Sequence, residues 1–505
     1  MPKPPRRARR ALERILQTPD VALIVPRLQP ETLHRVIQTC GLEACGEFVA
    51  LATSDQLAKV FDLDLWRAPQ PGLEEQLDAD RFGLWLEVLM EAGAAVAAQK
   101  LAGIDDHLVV AAFAQHVRVF DRAAGQVAAA DCELGSYSIQ VKRTDAWDAI
   151  FDLLVFLHAD DPDYFHRLMR GCRRLSNSLP EIDGLDDLLP EAEQHLFDVA
   201  ADRDTRRERQ GYVTPAEGRA FLRMARQPRP TQDATPSANP LARGYFRTIE
   251  PTPPAESDAA VLHMLVEAGL ASPPQQPRFL LRRPEGDTRF ARIRSHMEFV
   301  ADVDPAACAT RSAELAYLAN NLIAGCAIQG RPFTPGEASD AVAAVCNLGL
   351  ENWPRRGVDG PDLPQRFLVE HDLIGVFEVG WTVLHRDVCM HTAQRLVGIL
   401  AEIRCSDDDT QSGLDALRRS LARHREAGAP WLARDAFDVL AIFDMTAWAA
   451  LLSLVDECPV IHAAMRAPRS GARSVSPTSF EFVSENCQIA EVHAFLRGLP
   501  DILTM

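Results

Sequence analysis

Four acidic residues, Glu31, Asp55, Asp80 and Asp106, recur at intervals of 24, 25 and 26 residues. Each is followed two positions later by a large apolar side chain, Leu33, Leu57, Phe82 or Leu108, and then by apolar residues at helical spacing. An acid just ahead of such a stripe is how a helix start reads, because a carboxylate there faces the positive end of the helix dipole. A period near 25 residues fits a short helical hairpin, which cannot bury its apolar face alone and must stack on its neighbours. The fold expected is therefore mainly α: stacked helical hairpins (an α-superhelix) in the N-terminal half, a second helical domain after it, and one minor β-hairpin.

A chain of 505 residues exceeds what one hydrophobic core organises. The expected plan is a basic tail over residues 1–20, a helical repeat domain over 21–227, a proline-rich linker over 228–257 and a helical domain over 258–505. The hairpin is placed near 116–142, where His116–Phe120 and Tyr137–Lys142 alternate apolar and polar residues. Helices follow at Ala146–Leu157 and Pro162–Arg174, the second with Tyr164, Phe165, Leu168 and Met169 on one face. The charged stretch Glu181–Arg209 reads as a solvated helix laced with ion pairs. Thr214-Pro-Ala-Glu217 and Phe333-Thr-Pro-Gly-Glu337 each join an N-cap, a proline and a glutamate three after the cap.

The linker holds seven prolines between Pro228 and Pro254 and an apolar island, Leu241 to Phe246, readable as a strap or a docking motif. Beyond it Leu315, Leu318, Ala319, Leu322, Ile323 and Cys326 form a core-facing stripe, with Asn320 and Asn321 pointing away from it, either exposed or part of a second, polar contact. One long helix is expected from Leu368 to Ile403, an extended segment at Phe480–Val483 and a closing helix at Ala490–Leu499.

The formal charge of −18 opposes a broad nucleic-acid surface. The only basic cluster, Lys3, Arg6, Arg7, Arg9, Arg10 and Arg14, reads as a short solvated helix, with a docking or membrane-surface arm as the alternative. No apolar run approaches the ~18 residues of a membrane span, and the eleven cysteines contain no Cys-x-x-Cys, their closest pair being Cys40 and Cys45. Both features suit buried thiols in a reducing cytoplasm.

No nucleotide-binding, zinc-protease or nucleophile-elbow signature is present. His385, Cys389 and His391 form the most metal-like group, yet on a continuous helix Cys389 and His391 lie about 200° apart and cannot share an ion; His385 and Cys389 share a face, which reads as core or interface packing, with a two-ligand site completed from elsewhere as the alternative. Asp160, Asp161 and Asp163, or the four repeat acids, suit hydrated Mg²⁺; capping and dipole complementation is the other reading, and for the repeat acids the preferred one. Glu87 and Glu91 sit one turn apart, on what reads as the solvated edge of an amphipathic helix. No catalytic, cofactor-binding or metal residue is assigned from the sequence, and no cofactor is expected.

The repeats from Leu28 to Leu108 resemble the intracellular N-terminal domain of bacterial magnesium transporters, which implies a superhelix and cation-sensitive regulation. Asp163-Tyr-Phe-His-Arg-Leu-Met-Arg-Gly171, Gln210-Gly-Tyr-Val-Thr-Pro215, Cys346-Asn-Leu-Gly-Leu350 and Val379-Gly-Trp381 look like blocks of a bacterial family of unknown function, spanning most of the chain and implying no catalytic residue. The expected role is a cytoplasmic interaction or regulatory scaffold with a protein partner; a divalent-cation-responsive module and an enzyme with an unrecognised site are the alternatives.

Overall fold

Four helix starts in the N-terminal part fall where the acidic spacing puts them: Pro30–Cys40, Ser54–Asp64, Ala79–Glu91 and Asp106–His116. The structure, a computed structural model, describes residues 21–70, 72–122, 130–176, 191–227, 239–249, 290–354, 363–404, 407–426, 438–439, 445–466 and 480–499, with Leu12 and Leu16. The basic cluster of the tail lies outside the described residues, as do the proline-rich stretches flanking residues 239–249. The chain divides into two compact units, the first containing residues up to 69 and 75–210, the second 70–74, 211–249 and the C-terminal part. The division thus falls at Gln210/Gly211 rather than at residue 227, because the helix Pro215–Ala225 packs within the second unit, on the helix Pro305–Gly325.

The repeat acids sit in the first helical turn, but the caps are their neighbours. Thr53 forms a complete capping box with Gln56, Asp78 accepts the Arg81 amide and Asp105 accepts the His107 amide. Asp55, Asp80 and Asp106 are left to complement the dipole, and Asp80 and Asp106 also pair with Arg143 and Arg167. Gln56 does double duty, its side-chain amide donating to the Val25 and Leu28 carbonyls (2.9 and 2.6 Å) and so tying this helix start to the turn before the helix Pro30–Cys40. Behind these starts lies an aromatic core in which Phe61 meets Trp85 edge-on at 5.0 Å and Phe82 meets Phe113 at 5.5 Å.

The expected hairpin is two strands of a three-stranded sheet. Val117–Asp121 runs antiparallel to Tyr137–Val141, which pairs on its other edge with Cys132–Leu134. Helices follow at Trp147–Asp160 and Pro162–Ser176, with Asp161 accepting the Tyr164 amide, and the unit's last described helix is Glu191–Arg209.

The second unit is built on close helix crossings. A Cβ placed on Gly349 would lie 2.0 Å from the Val376 carbonyl oxygen, and one on Gly380 would lie 1.9 Å from that of Val345. Helices Pro335–Glu351 and Leu373–Val383 therefore touch backbone to backbone, which only glycine allows. Gly218 and Gly325 make a second such crossing. The Leu315 stripe is buried apart from half-buried Ile323, and the two asparagines make polar contacts rather than facing solvent: fully buried Asn321 donates to the Tyr317 carbonyl and Asn320 to Gly211 O. The stripe is wider than one face because this helix is covered on several sides, by Pro215–Ala225, Ala291–Val303 and Pro335–Glu351.

Leu241–Phe246 lies in a helix, Pro240–Thr248, docked within this unit. Asn239 caps it and donates to the buried Glu378 carboxylate at 2.9 Å, while Tyr245 donates to Gly211 O and lies 4.4 Å from the Tyr317 ring. The long helix expected from Leu368 is interrupted: a turn at Phe367–Glu370 ends at His371, Asp372 caps a new helix through the Gly375 amide, and Leu384–Met390 is π-helical before His391–Glu402. Phe480–Phe482 is extended as expected, paired with Val460–His462. The closing helix begins earlier than read, at Asn486, because Glu485 and Gln488 form a capping box there.

Candidate functional site

Ionisable side chains converge in two places. In the second unit the end of helix Pro215–Ala225 is fixed by Trp381, whose indole donates to Leu222 O at 3.2 Å, and by Thr382, whose hydroxyl donates to Ala225 O at 2.9 Å. Half-buried Arg226 follows directly. Its guanidinium is drawn down to about 10 by burial, with Cys326, Cys389 and Glu457 opposing the shift. His385, in the π-helical turn, has Nδ1 3.1 Å from Trp381 O and Nε2 3.0 Å from Glu457 O. Burial and Arg226 pull its imidazolium down to about 3, so the ring is neutral at ordinary pH and its single N–H is directed to a carbonyl.

The acids beside this ring have structural work. Glu457 accepts the Ala327 amide at 2.7 Å and Asp456 accepts that of Gln329. They hold the tight turn between strands Ala327–Ile328 and Arg331–Pro332, where Gln329 and Gly330 both have positive φ, as a two-residue type I′ connection requires. The nearby thiols of Cys326, Cys389 and Cys458 are all pushed up by burial, hence protonated and poor nucleophiles.

The His385, Cys389 and His391 group is not brought together. His385 and Cys389 face the Asp456–Glu457 segment, whereas the His391 ring lies 4.1 Å from that of His493, whose Nε2 donates to Asp387 O at 2.7 Å. Among the described residues no group of three or more His, Cys, Asp or Glu side chains is arranged to hold a metal ion. Glu87 and Glu91 lie on the exposed side of a helix whose Trp85, Leu86 and Leu89 are buried.

The first unit holds the denser network, on residues that sequence reasoning passed over. Asp64 accepts hydrogen bonds from Arg81 Nε and Trp85 Nε1, both 2.6 Å, and from His34 Nε2 at 3.1 Å. Burial works to raise this carboxyl, but the three donors outweigh it and draw it down to about 2. Beside it Arg203, 2% exposed, donates to Asp62 O at 2.8 Å and to Glu75, and lies over the Trp66 ring. Arg206 grips both oxygens of Asp62, at 2.7 and 3.0 Å, and Arg207 reaches Glu75 at 3.1 Å. The stretch read as a solvated helix thus buries one of its arginines completely. A signal was present: Asp62 and Asp64 close a helix, where the dipole disfavours carboxylates, so each needs a cationic partner from elsewhere. A buried carboxylate held by arginine, tryptophan and histidine is a fixed joint between helices.

These features define a mainly α chain of two units whose converged charges lie in helix-to-helix joints. Residues 5–179 match a family described as Family of unknown function (DUF6178). The match contains the Asp163–Gly171 block; the blocks at Gln210, Cys346 and Val379 lie beyond it. No curated protein and no solved structure matches the chain, so no magnesium transporter appears among the findings.

Proposed function

We propose that the protein is an interaction or regulatory scaffold, cytoplasmic and built on helical repeats, that binds a protein partner through its first unit. One observation carries this reading: the unit's polar convergence is internal, locking helix to helix through Asp62, Asp64 and Arg203, while Phe197 stands 63% exposed on the same helix as Arg203. A large apolar side chain held in water on a rigid helix suits partner recognition. No helix among the described residues is long and apolar enough to cross a membrane, which fits this reading.

The test is to recover the tagged chain at native abundance from its own cells and size the assembly it forms. A stoichiometric complex that Phe197→Glu dissociates, with the variant's melting temperature unchanged, supports the scaffold. A melting-temperature rise with a nucleotide or metabolite points instead to an enzyme. A rise with Mg²⁺, absent with Ca²⁺ and abolished by Asp55→Asn with Asp80→Asn, points to the cation-responsive alternative. Asp80 already pairs with Arg143, so the expected result is no Mg²⁺ shift.

A further inference from the structure

Helix Trp147–Asp160 is apolar on two faces. On one, Ile150, Leu153, Leu154 and Leu157 are buried, where the helix packs on Ala79–Glu91, Ala94–Ala102 and Pro162–Ser176. The other carries Trp147, Phe151, Val155 and His158, spaced i, i+4, i+8 and i+11, so the four follow one line along the helix. The Trp147 and Phe151 rings are half-buried with centroids 5.8 Å apart, Val155 is 41% exposed and His158 is exposed. A helix apolar on every side is ordinarily covered on every side, and this one is open along that line.

Beside the line stand the exposed acids Asp148 and Asp152. Asp80, Asp106 and Glu191 of the same unit each hold an arginine, but these two have no ion pair among the described residues, and the helix contains no lysine or arginine. An apolar line edged by unpaired carboxylates is complementary to one kind of occupant, an amphipathic helix with lysine or arginine along the edge of its own apolar face. A second copy of this chain fits poorly, because the same face on both partners would set Asp148 and Asp152 against their own counterparts. An anionic lipid surface is repelled for the same reason.

From this geometry we infer that Trp147, Phe151 and Val155 form a docking line for a basic amphipathic helix of a partner protein, with Asp148 and Asp152 receiving its cations. The inference stands on this helix alone and holds whether or not Phe197 meets a partner. The probe is a synthetic leucine–lysine amphipathic helix carrying a fluorophore and, within its leucine face, a photo-crosslinking group. It is titrated against the full chain at low and at physiological salt. Saturable binding is expected, about tenfold weaker for Phe151→Ala. Asp148→Asn with Asp152→Asn is expected to weaken it by about tenfold at low salt and by less as salt rises. Two controls should bind as the natural chain does: Glu43→Gln with Glu47→Gln, which removes two exposed charges elsewhere in the unit, and Leu23→Ala, which removes another exposed apolar side chain. After crosslinking and trypsin, the label is expected on Thr144–Arg167, which holds the whole helix, and not on Leu175–Arg203, which holds Phe197. Where Phe151→Ala lowers the melting temperature, Val155→Ser repeats the test at a more exposed position. The proposal is overturned by absence of binding at low salt, by equal weakening in the Glu43 and Glu47 control, or by a label outside Thr144–Arg167. Equal affinity for the same peptide with glutamate in place of lysine overturns it too, as does a dimer of the natural chain that Phe151→Ala makes monomeric, since the occupant is then a second copy.

Discussion

Gly380→Ala sets two physical effects against each other, and the sign of the outcome decides between them. In a helix interior alanine is more favourable than glycine by about 1 kcal/mol, so local propensity alone says the variant gains stability. The crossing says otherwise. A Cβ there lies 1.9 Å from Val345 O and 2.9 Å from Gly349 N, both backbone atoms that no rotamer change can move. The helices must separate by about an ångström, which forfeits a quarter to a half of the contact attraction along the seam. Overpacking costs roughly 1–3 kcal/mol, and a backbone obstacle places this case at the top, leaving a net loss of about 2 kcal/mol. Gly398→Ala is the control, since it lies in a helix with nothing within 4 Å of its Cβ and should gain about 1 kcal/mol. Urea unfolding followed by circular dichroism and tryptophan fluorescence measures both. Gly349→Ala with Gly380→Ala should cost less than the sum of the two singly, since one separation relieves both clashes. A Gly380→Ala midpoint as high as that of Gly398→Ala would refute the backbone crossing.

Asn347→Ala should cost about 3 kcal/mol in the same assay, because this buried amide caps helix Ala291–Val303 from another helix, accepting the Arg292 and Ile293 amides while donating to Ser484 O. Asp64→Asn should lose about 3 kcal/mol at pH 7 by stranding Arg81. The folded Asp64 carboxyl lies below its unfolded value, so its contribution is full above about pH 4 and fades as the pH falls to about 2; an acid-unfolding curve for Asp64→Asn that is as steep as the natural chain's would contradict this. Thr334→Ala should lower the second unit's stability by about 1 kcal/mol, since Thr334 and Glu337 form a complete capping box, and an unchanged midpoint would contradict it.

Features written in a few neighbouring residues were legible in advance. Helix starts at Ser54, Pro215 and Pro335 follow from caps and prolines within four residues, and the strands at Val117 and Tyr137 from simple alternation. What escaped depends on partners far along the chain. Asn321 looks exposed on its own helical wheel until further helices cover it, and Arg203 looks solvated until Asp62 and Glu75 arrive from more than a hundred residues away. Locally unfavourable choices were the available clue: glycines inside helices at Gly349 and Gly380, and carboxylates at a helix end at Asp62 and Asp64. The π-helical turn has no comparable mark, because its apolar spacing passes for a continuous α-helix across Leu384–Met390.

The Arg203 joint has a consequence for how this protein can be inherited. The recognisable family stretch stops at residue 179, yet Asp62 and Glu75 inside it are neutralised by Arg203, Arg206 and Arg207 from the helix Glu191–Arg209. A copy of the matched stretch alone, moved into another protein, would lose the arginines that pair with Asp62 and Glu75 and would open the seat where Val199 had been packed. A descendant that kept the aspartate paired would bring the arginine helix with it or supply a cation from a new neighbour. The length of chain that resemblance detects and the length over which these ion pairs close are set by different physics, and here the second reaches the helix Glu191–Arg209.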